Sequence, residues 1–317
     1  MIIKLYKSNI SIGIILLPVI AIILCLPLLL GNQTPLNYNF EWQEFVFGYI
    51  NQSKFLNFFL TLFILILNST TIVTRFNQTT LFSKTTYLPA IIYLVLVSFS
   101  STIQFSPALF IHFIFIQLIH QILKLDKAES ALHVSFKSGL LIGLLSCFSL
   151  FYSILILAVF IPILLIHSIN IKELVTGLLG LFIPILYLFS LQYIISDLPI
   201  GFTSPIENPL QQYQLIDYIK ILSLSLITLL SFKMVNSFHT HNSLHIKKQV
   251  IALLICSALS VILSVILFFA YNLIDPIFIT PFAFIITIAS FSTKSDTFIS
   301  FLLTITLIIN IVALFLK

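Results

Sequence analysis

Long apolar runs follow one another along almost the whole chain, and short polar segments separate them. A membrane-spanning helix needs about 20 apolar residues, and the run at 9–30 is the first of this length. Only 8% of the residues are charged, whereas about a quarter are charged in an ordinary soluble domain. So few charges cannot cover a water-facing surface. We therefore expect an all-α polytopic transmembrane helix bundle, with residues 1–317 forming one integral membrane domain with short loops.

The apolar runs predict about 11 spans, and ten or twelve remain open because the fifth and sixth runs are short. The predicted spans cover residues 9–30, 55–74, 85–102, 106–123, 137–151, 153–168, 174–195, 215–235, 250–270, 277–291 and 297–316.

Lysine and arginine positions predict the orientation of the chain. With the N-terminus inside and alternating spans, three of the 15 cations, Lys54, Lys220 and Lys317, fall outside. The excess on one side is what the positive-inside rule predicts. The net charge of +5 is then a topology signal, and we expect no nucleic-acid partner. We expect an inner (cytoplasmic) cell membrane location, a cytoplasmic N-terminus, a periplasmic C-terminus and the lipid bilayer as the first partner.

The first predicted outward loop, 31–54, contains the segment NYNFEWQEFVFGYINQ at 37–52. Its aromatic and apolar residues fall near helical spacing; they are Phe40, Trp42, Phe45, Val46, Tyr49 and Ile50. The polar residues on the other side are Glu41, Glu44, Asn51 and Gln52. This pattern predicts an amphipathic helix at the membrane interface after span 1. The helix is either an anchor or a catalytic element, in which Glu41 or Glu44 acts as a general base or holds a divalent metal against a phosphate.

Two further groups of polar residues are candidate sites. Gln117, His120 and Gln121 share a face of the fourth span, and His112 lies deeper. They predict a polar pathway or headgroup pocket, or alternatively hydrogen bonds between helices. Asp217 and Lys220, three residues apart, are either a structural pair or a second catalytic acid and a phosphate- or headgroup-binding cation.

Other in-span residues predict packing rather than chemistry. Ser135, Gly139, Gly143 and Cys147 recur every four residues, which is typical of a close-packed helix face. Asn68 and Asn310 predict hydrogen bonds between helices. We expect no cofactor and no metal site, except for a divalent metal if the chain is a transferase.

Residues 85–190 resemble a known family. The segments TTYLPAIIYLVLVSF, SPALFIHFIFIQLIHQIL, FKSGLLIGLLSCFSLFYSILIL and IKELVTGLLGLFIPILYLF resemble an uncharacterised multi-pass inner-membrane family of Bacteroidota, a domain of unknown function. The resemblance implies an inner-membrane location and no catalytic residues. A weaker fold-level analogy links the outward loop with Glu41 and Glu44 to C-type glycosyltransferases, which place an acidic residue and interfacial helices there.

These patterns leave three functions open. The first is a non-catalytic component of a cell-envelope assembly, with other envelope membrane proteins as partners. The second is a membrane-embedded glycosyl or headgroup transferase that acts on a lipid-linked substrate at the outer leaflet. The third is a small-molecule or lipid transporter lined by the fourth-span polar face.

Overall fold

A computed structural model describes the protein over residues 10–30, 41–79, 81, 85–99, 103–125, 131–166, 170–194, 227–235, 243–271, 277–292 and 296–316. About 90% of these residues are helical and none is in a strand. This agrees with the all-α expectation, since a chain in lipid must pair its backbone groups within its own segments.

The described helices, numbered in chain order, are as follows: α1 (Ile10–Leu30), α2 (Glu41–Gln43, the π-helical Glu44–Gly48 and Tyr49–Asn51), α3 (Lys54–Asn77), α4 (Leu88–Val97), α5 (Pro107–Lys124), α6 (Leu132–Ser146), the 3₁₀ segment Leu150–Ile156 running into α7 (Leu157–Ile166), α8 (Ile171–Ile194), α9 (227–235), α10 (Leu244–Tyr271), α11 (Ile279–Ser292) and α12 (Asp296–Leu316).

Five helices are long and apolar enough to cross a membrane, namely α1, α3, α5, α8 and α10. Five further apolar stretches of 10–17 residues lie in α4, α6, the 3₁₀ segment with α7, α11 and α12. The described helices therefore support several membrane spans, and the predicted total of about 11 stays a prediction. Most of the predicted eighth span, 215–235, lies outside the described residues.

The core is built around two short helices that are covered on every side. All ten residues of α4 are buried, and so are residues 279–290 of α11. α4 packs against α1, α3, α11 and α12, and the Phe76 and Phe284 rings lie 5.7 Å apart between α3 and α11. A continuously apolar helix such as LPAIIYLVLV fits this position, because it offers no polar face to water.

The predicted third span, 85–102, differs from the structure. Its helix ends at Val97, residues 98–99 form a turn, and 103–106 are not helical. Ten residues rise only about 15 Å, which is about half of a bilayer's hydrocarbon core. Residues 103–105, the next described part of the chain, are buried and not helical, and such backbone is tolerated in a membrane only where other protein groups pair with it.

α6 and α8 lie parallel and in close contact along the predicted small-residue face. A Cβ atom placed on Gly139 would overlap the Gly177 carbonyl oxygen, and one on Gly180 would overlap the Phe136 carbonyl oxygen. At one end the Ser135 hydroxyl donates to the Glu173 carbonyl oxygen at 2.6 Å. The close-packed face is confirmed, and its partner surface is a second run of small residues on α8.

The two ends of the bundle are named here after α3. At the Lys54 end lie Asn51, Phe105 and Phe148; at the Arg75 end lie Thr86, Lys124 and the start of α10. Two contacts fix this arrangement: Asn51 Nδ2 donates to the Phe105 carbonyl oxygen at 3.1 Å, and Gln249 Nε2 of α10 donates to the Leu123 carbonyl oxygen at 3.2 Å.

Candidate functional site

Three buried polar side chains from three helices meet in the interior. Asn68 of α3 and Tyr93 of α4 are fully buried, and His112 of α5 is 1% exposed. Asn68 Nδ2 donates to Tyr93 Oη at 3.0 Å and to the Leu109 carbonyl oxygen at 2.9 Å. Tyr93 Oη shares a second hydrogen bond with His112 Nδ1 at 3.1 Å, and the donor there depends on the histidine tautomer. The cluster joins α3, α4 and α5.

Amide side chains pair with the backbone where α4 is interrupted. Asn57 Oδ1 accepts from the Phe105 backbone nitrogen at 2.9 Å and from Thr61 Oγ1 at 3.0 Å. On the other side of the interruption, Asn310 Nδ2 donates to Ser98 Oγ at 2.9 Å, and Ser98 Oγ donates to the Val95 carbonyl oxygen at 2.6 Å. The Asn57 bond gives the Phe105 N–H an acceptor outside a helix, and the Asn310 bond ties α12 to the end of α4.

The segment α2, at the Lys54 end, is helical as predicted. Gln43 and Phe47 are buried, whereas Phe45 and Tyr49 are about three-quarters exposed. Gln43 Nε2 donates to the Phe148 carbonyl oxygen at 2.8 Å, and the Trp42 and Phe148 rings lie 5.5 Å apart. Residues Glu44–Gly48 form a π-helical turn within this segment, and whether the exposed aromatic side lies at a membrane interface stays a prediction.

Glu44 lies on the exposed face of α2, beside Phe45 and Val46. Of Glu41 only the backbone is described, and Asp217 and Lys220 lie outside the described residues. The convergence of these four residues therefore stays a prediction.

The predicted polar face of α5 separates into two environments. His112 and His120 are both buried, while Gln117 and Gln121 are half-buried. His112 belongs to the cluster with Tyr93, and His120 lies near Arg75 and Lys124 at the Arg75 end. Whether Gln117 and Gln121 line a pathway stays a prediction.

Comparison of the chain with protein-family models, with curated proteins and with solved structures returned no match. The chemistry of the site therefore has to be argued from its own residues. Among the residues that the structure describes, no three histidine, cysteine, aspartate or glutamate side chains lie together in a way that could hold a metal ion.

One buried acidic residue was not singled out by the sequence patterns. Glu173, in the first turn of α8, is 5% exposed, and its Oε1 accepts from the Ala131 backbone nitrogen at 3.1 Å, directly before α6. A carboxylate at that position pairs with one of the backbone N–H groups that a helix start leaves free. Its spacing in the sequence could have identified it, because Glu173 lies four residues before Gly177 and therefore on the face of α8 that contacts α6.

Five of the eight described lysine and arginine residues mark the Arg75 end of the bundle. Arg75 and Lys124 end α3 and α5, Lys172 begins α8, and Lys247 and Lys248 begin α10. Lys54 lies at the opposite end, at the start of α3. The charge asymmetry predicted from the sequence therefore has a counterpart along the axis of the bundle.

Proposed function

We propose that this protein is a multi-pass protein of the inner cell membrane, with about 11 spans, that serves as a non-catalytic component of a cell-envelope assembly. The observation that carries this proposal is the use made of the in-span polar groups. Asn57, Asn68, Tyr93 and Asn310 are each at most 1% exposed, and each hydrogen-bonds to another segment. Polar groups committed in this way hold helices together instead of meeting a substrate.

The proposed orientation places the Arg75 end in the cytoplasm, with the N-terminus there and the C-terminus in the periplasm. The support is the gathering of Arg75, Lys124, Lys172, Lys247 and Lys248 at that end, since short cytoplasmic loops carry an excess of lysine and arginine.

The outer face of α8 is the proposed contact surface for other envelope membrane proteins. α8 buries 22% of its apolar stretch, against at least 39% for each of the other four long helices. It is held mainly by its contact with α6, which leaves Phe182, Leu186 and Tyr187 more than half exposed. Among the five long helices of the described chain, α8 therefore leaves the largest share of its apolar stretch available for a second protein.

Photo-crosslinking in intact membranes tests the assembly. A photoreactive amino acid is placed at Tyr187 of α8, and a matched control is placed at Phe59 of α3, since both side chains are more than 60% exposed. We expect protein adducts from position 187 and lipid adducts from position 59. Lipid adducts alone from both positions, together with a monomer in gentle detergent, would contradict the proposal.

A transferase acting on a lipid-linked substrate at the outer leaflet is the alternative, and the position of α2 favours it. Hydrogen bonds from Gln43 and Asn51 hold α2 at the Lys54 end, and Glu44 faces outward from it. In this alternative Glu41 or Glu44 is the base or the ligand of a divalent metal, Asp217 is a second acid and Lys220 binds phosphate.

The alternative is tested with purified protein and a polyprenyl-phosphate-linked radiolabelled sugar. Transfer that is lost in Glu44→Gln and kept in Gln52→Glu would support the transferase. No transfer by the unmodified protein, with and without added Mg²⁺ or Mn²⁺, would reject it. We do not propose the transporter, because His112 is packed against Tyr93 within the described core.

A further inference from the structure

Three nitrogen-bearing side chains meet where α3 and α5 end together. Arg75 lies in the last turn of α3, and His120 and Lys124 lie one turn apart near the end of α5. His120 and Lys124 are four residues apart and share a face of α5, and α5 packs against α3, which carries Arg75. His120 is 1% exposed, and Lys124 is exposed. The group therefore runs from the packed interior to the surface at the Arg75 end.

Buried hydrogen-bonding atoms of His120 and Arg75 complete no hydrogen bond in the described part of the chain. The Arg75 backbone carbonyl faces the His120 ring, but neither ring nitrogen completes a hydrogen bond. Arg75 Nη1 donates to Gln78 Oε1 at 3.0 Å, while the buried Nε donates to no described group. Leaving such a donor unpaired is destabilising, and more so when the group is charged.

A structural role accounts for only part of this arrangement. Cations in the last turn of a helix interact favourably with its dipole, and this explains Arg75 and Lys124 singly. It does not explain why the His120 ring nitrogens and the Arg75 Nε are buried without a completed hydrogen bond. Within the described residues, no acidic side chain hydrogen-bonds to any of the three.

We propose that Arg75, His120 and Lys124 bind a phosphate group at this face of the membrane. Arg75 Nε and its second terminal nitrogen offer two parallel donors that match phosphate oxygens, Lys124 adds a point charge, and His120 donates from one ring nitrogen. The phosphate belongs either to an anionic lipid headgroup or to a soluble phosphate, since both present the same oxygens. A basic pocket between helix ends is a typical place for lipid headgroups.

Two binding arms separate the sources. Purified protein is titrated with phosphatidylglycerol in mixed micelles, with the zwitterionic, net-neutral phosphatidylcholine as the comparison, and lipid retention is read by native mass spectrometry. In parallel, sodium phosphate is compared with sodium chloride at equal ionic strength, and the melting temperature is read. Retention of phosphatidylglycerol without a phosphate effect assigns a lipid headgroup, and the opposite result assigns a soluble phosphate.

Variants decide whether the three residues form the site. We expect Arg75→Gln to weaken binding about tenfold, equivalent to about 1.4 kcal/mol, and Arg75→Lys to weaken it less. Lys172→Gln, which removes a cation from the same end, leaves binding unchanged. If Arg75→Gln does not fold, the exposed Lys124→Gln provides the same comparison. Binding in neither arm, or equal loss in Lys172→Gln and Lys124→Gln, would overturn the proposal.

Discussion

Asn57 of α3 connects this helix to the non-helical segment 103–106. Its side-chain oxygen accepts from the Phe105 backbone nitrogen at 2.9 Å, and the residue is fully buried. A backbone N–H in a membrane interior has no water to bond to. The amide therefore supplies the acceptor that a helical neighbour would otherwise provide.

Asn57→Leu is expected to destabilise the fold by about 1–3 kcal/mol, the cost of a buried unpaired N–H. The matched control is Thr61→Val, which removes one donor to Asn57 and leaves the Phe105 bond in place. Loss of soluble protein after stepwise heating in detergent measures both. Equal stability of the two variants would show that Phe105 finds another acceptor.

Tyr93→Phe removes the hydroxyl at the centre of the cluster with Asn68 and His112. Hydrogen bonds between membrane helices contribute about 0.6 kcal/mol on average and at most about 1.7, and we expect a loss within that range. Tyr187→Phe is the control, because Tyr187 is 69% exposed. The measurement is the denaturant midpoint in mixed micelles, and a loss in the control as large as in Tyr93→Phe would contradict this role.

Residue patterns anticipated some of these ties. Asn68 and Asn310 were expected to hydrogen-bond between helices, and both do. Asn57 was overlooked because it lies near the start of its span, where an amide is unremarkable. Its partner Phe105 is 48 residues away along the sequence, and spacing patterns within one helix do not identify such a distant partner.

At the scale of helices, the contact between α6 and α8 has the strictest geometry. At one end of the contact Ser135 donates to the Glu173 carbonyl oxygen, and at the other Cys147 donates to the Pro184 carbonyl oxygen. Glycines lie between these two bonds. Small residues allow two backbones to approach closely, which provides the packing that membrane helices rely on.

Gly139→Val and Gly177→Val are each expected to separate α6 from α8, because the new side chain would meet backbone or the Ser135 hydroxyl. Overpacking of this kind costs about 1–3 kcal/mol. Gly48→Ala is the control, since a Cβ there meets only Glu44 Cγ at 3.9 Å. A disulfide between Ser135→Cys and Thr176→Cys in a cysteine-free background reports the separation, and undiminished crosslinking in both glycine variants would contradict it.

The interruption after α4 illustrates what hydropathy misses. The span predicted at 85–102 ends as a helix at Val97, and the sequence that follows, SFSST at 98–102, is rich in hydroxyl side chains. Serine and threonine are uncharged and lower the mean hydropathy of a window only slightly. A hydropathy window therefore could not separate a full helix from a half helix followed by buried irregular chain.

At the scale of the whole molecule, the two ends of the bundle differ in charge. If the Arg75 end is cytoplasmic, a membrane-impermeant maleimide labels Lys54→Cys in intact cells whose outer membrane has been opened. Lys172→Cys is labelled only after the inner membrane is permeabilised. Both side chains are exposed, and the unmodified protein measures background from Cys25, Cys147 and Cys256. The reverse labelling would invert the proposed topology.

The sequence by itself determined the helical class, the membrane-compatible helices and the small-residue face of α6, because each depends on composition or on spacing within one segment. The tertiary structure alone decided that α4 is short and enclosed, that α2 buries Gln43 and Phe47, and that Arg75, His120 and Lys124 come together. These features depend on contacts between distant segments. In an apolar interior each buried donor needs an acceptor, and the acceptor often lies on a distant segment. The hydropathy pattern of the sequence does not show which donor pairs with which acceptor.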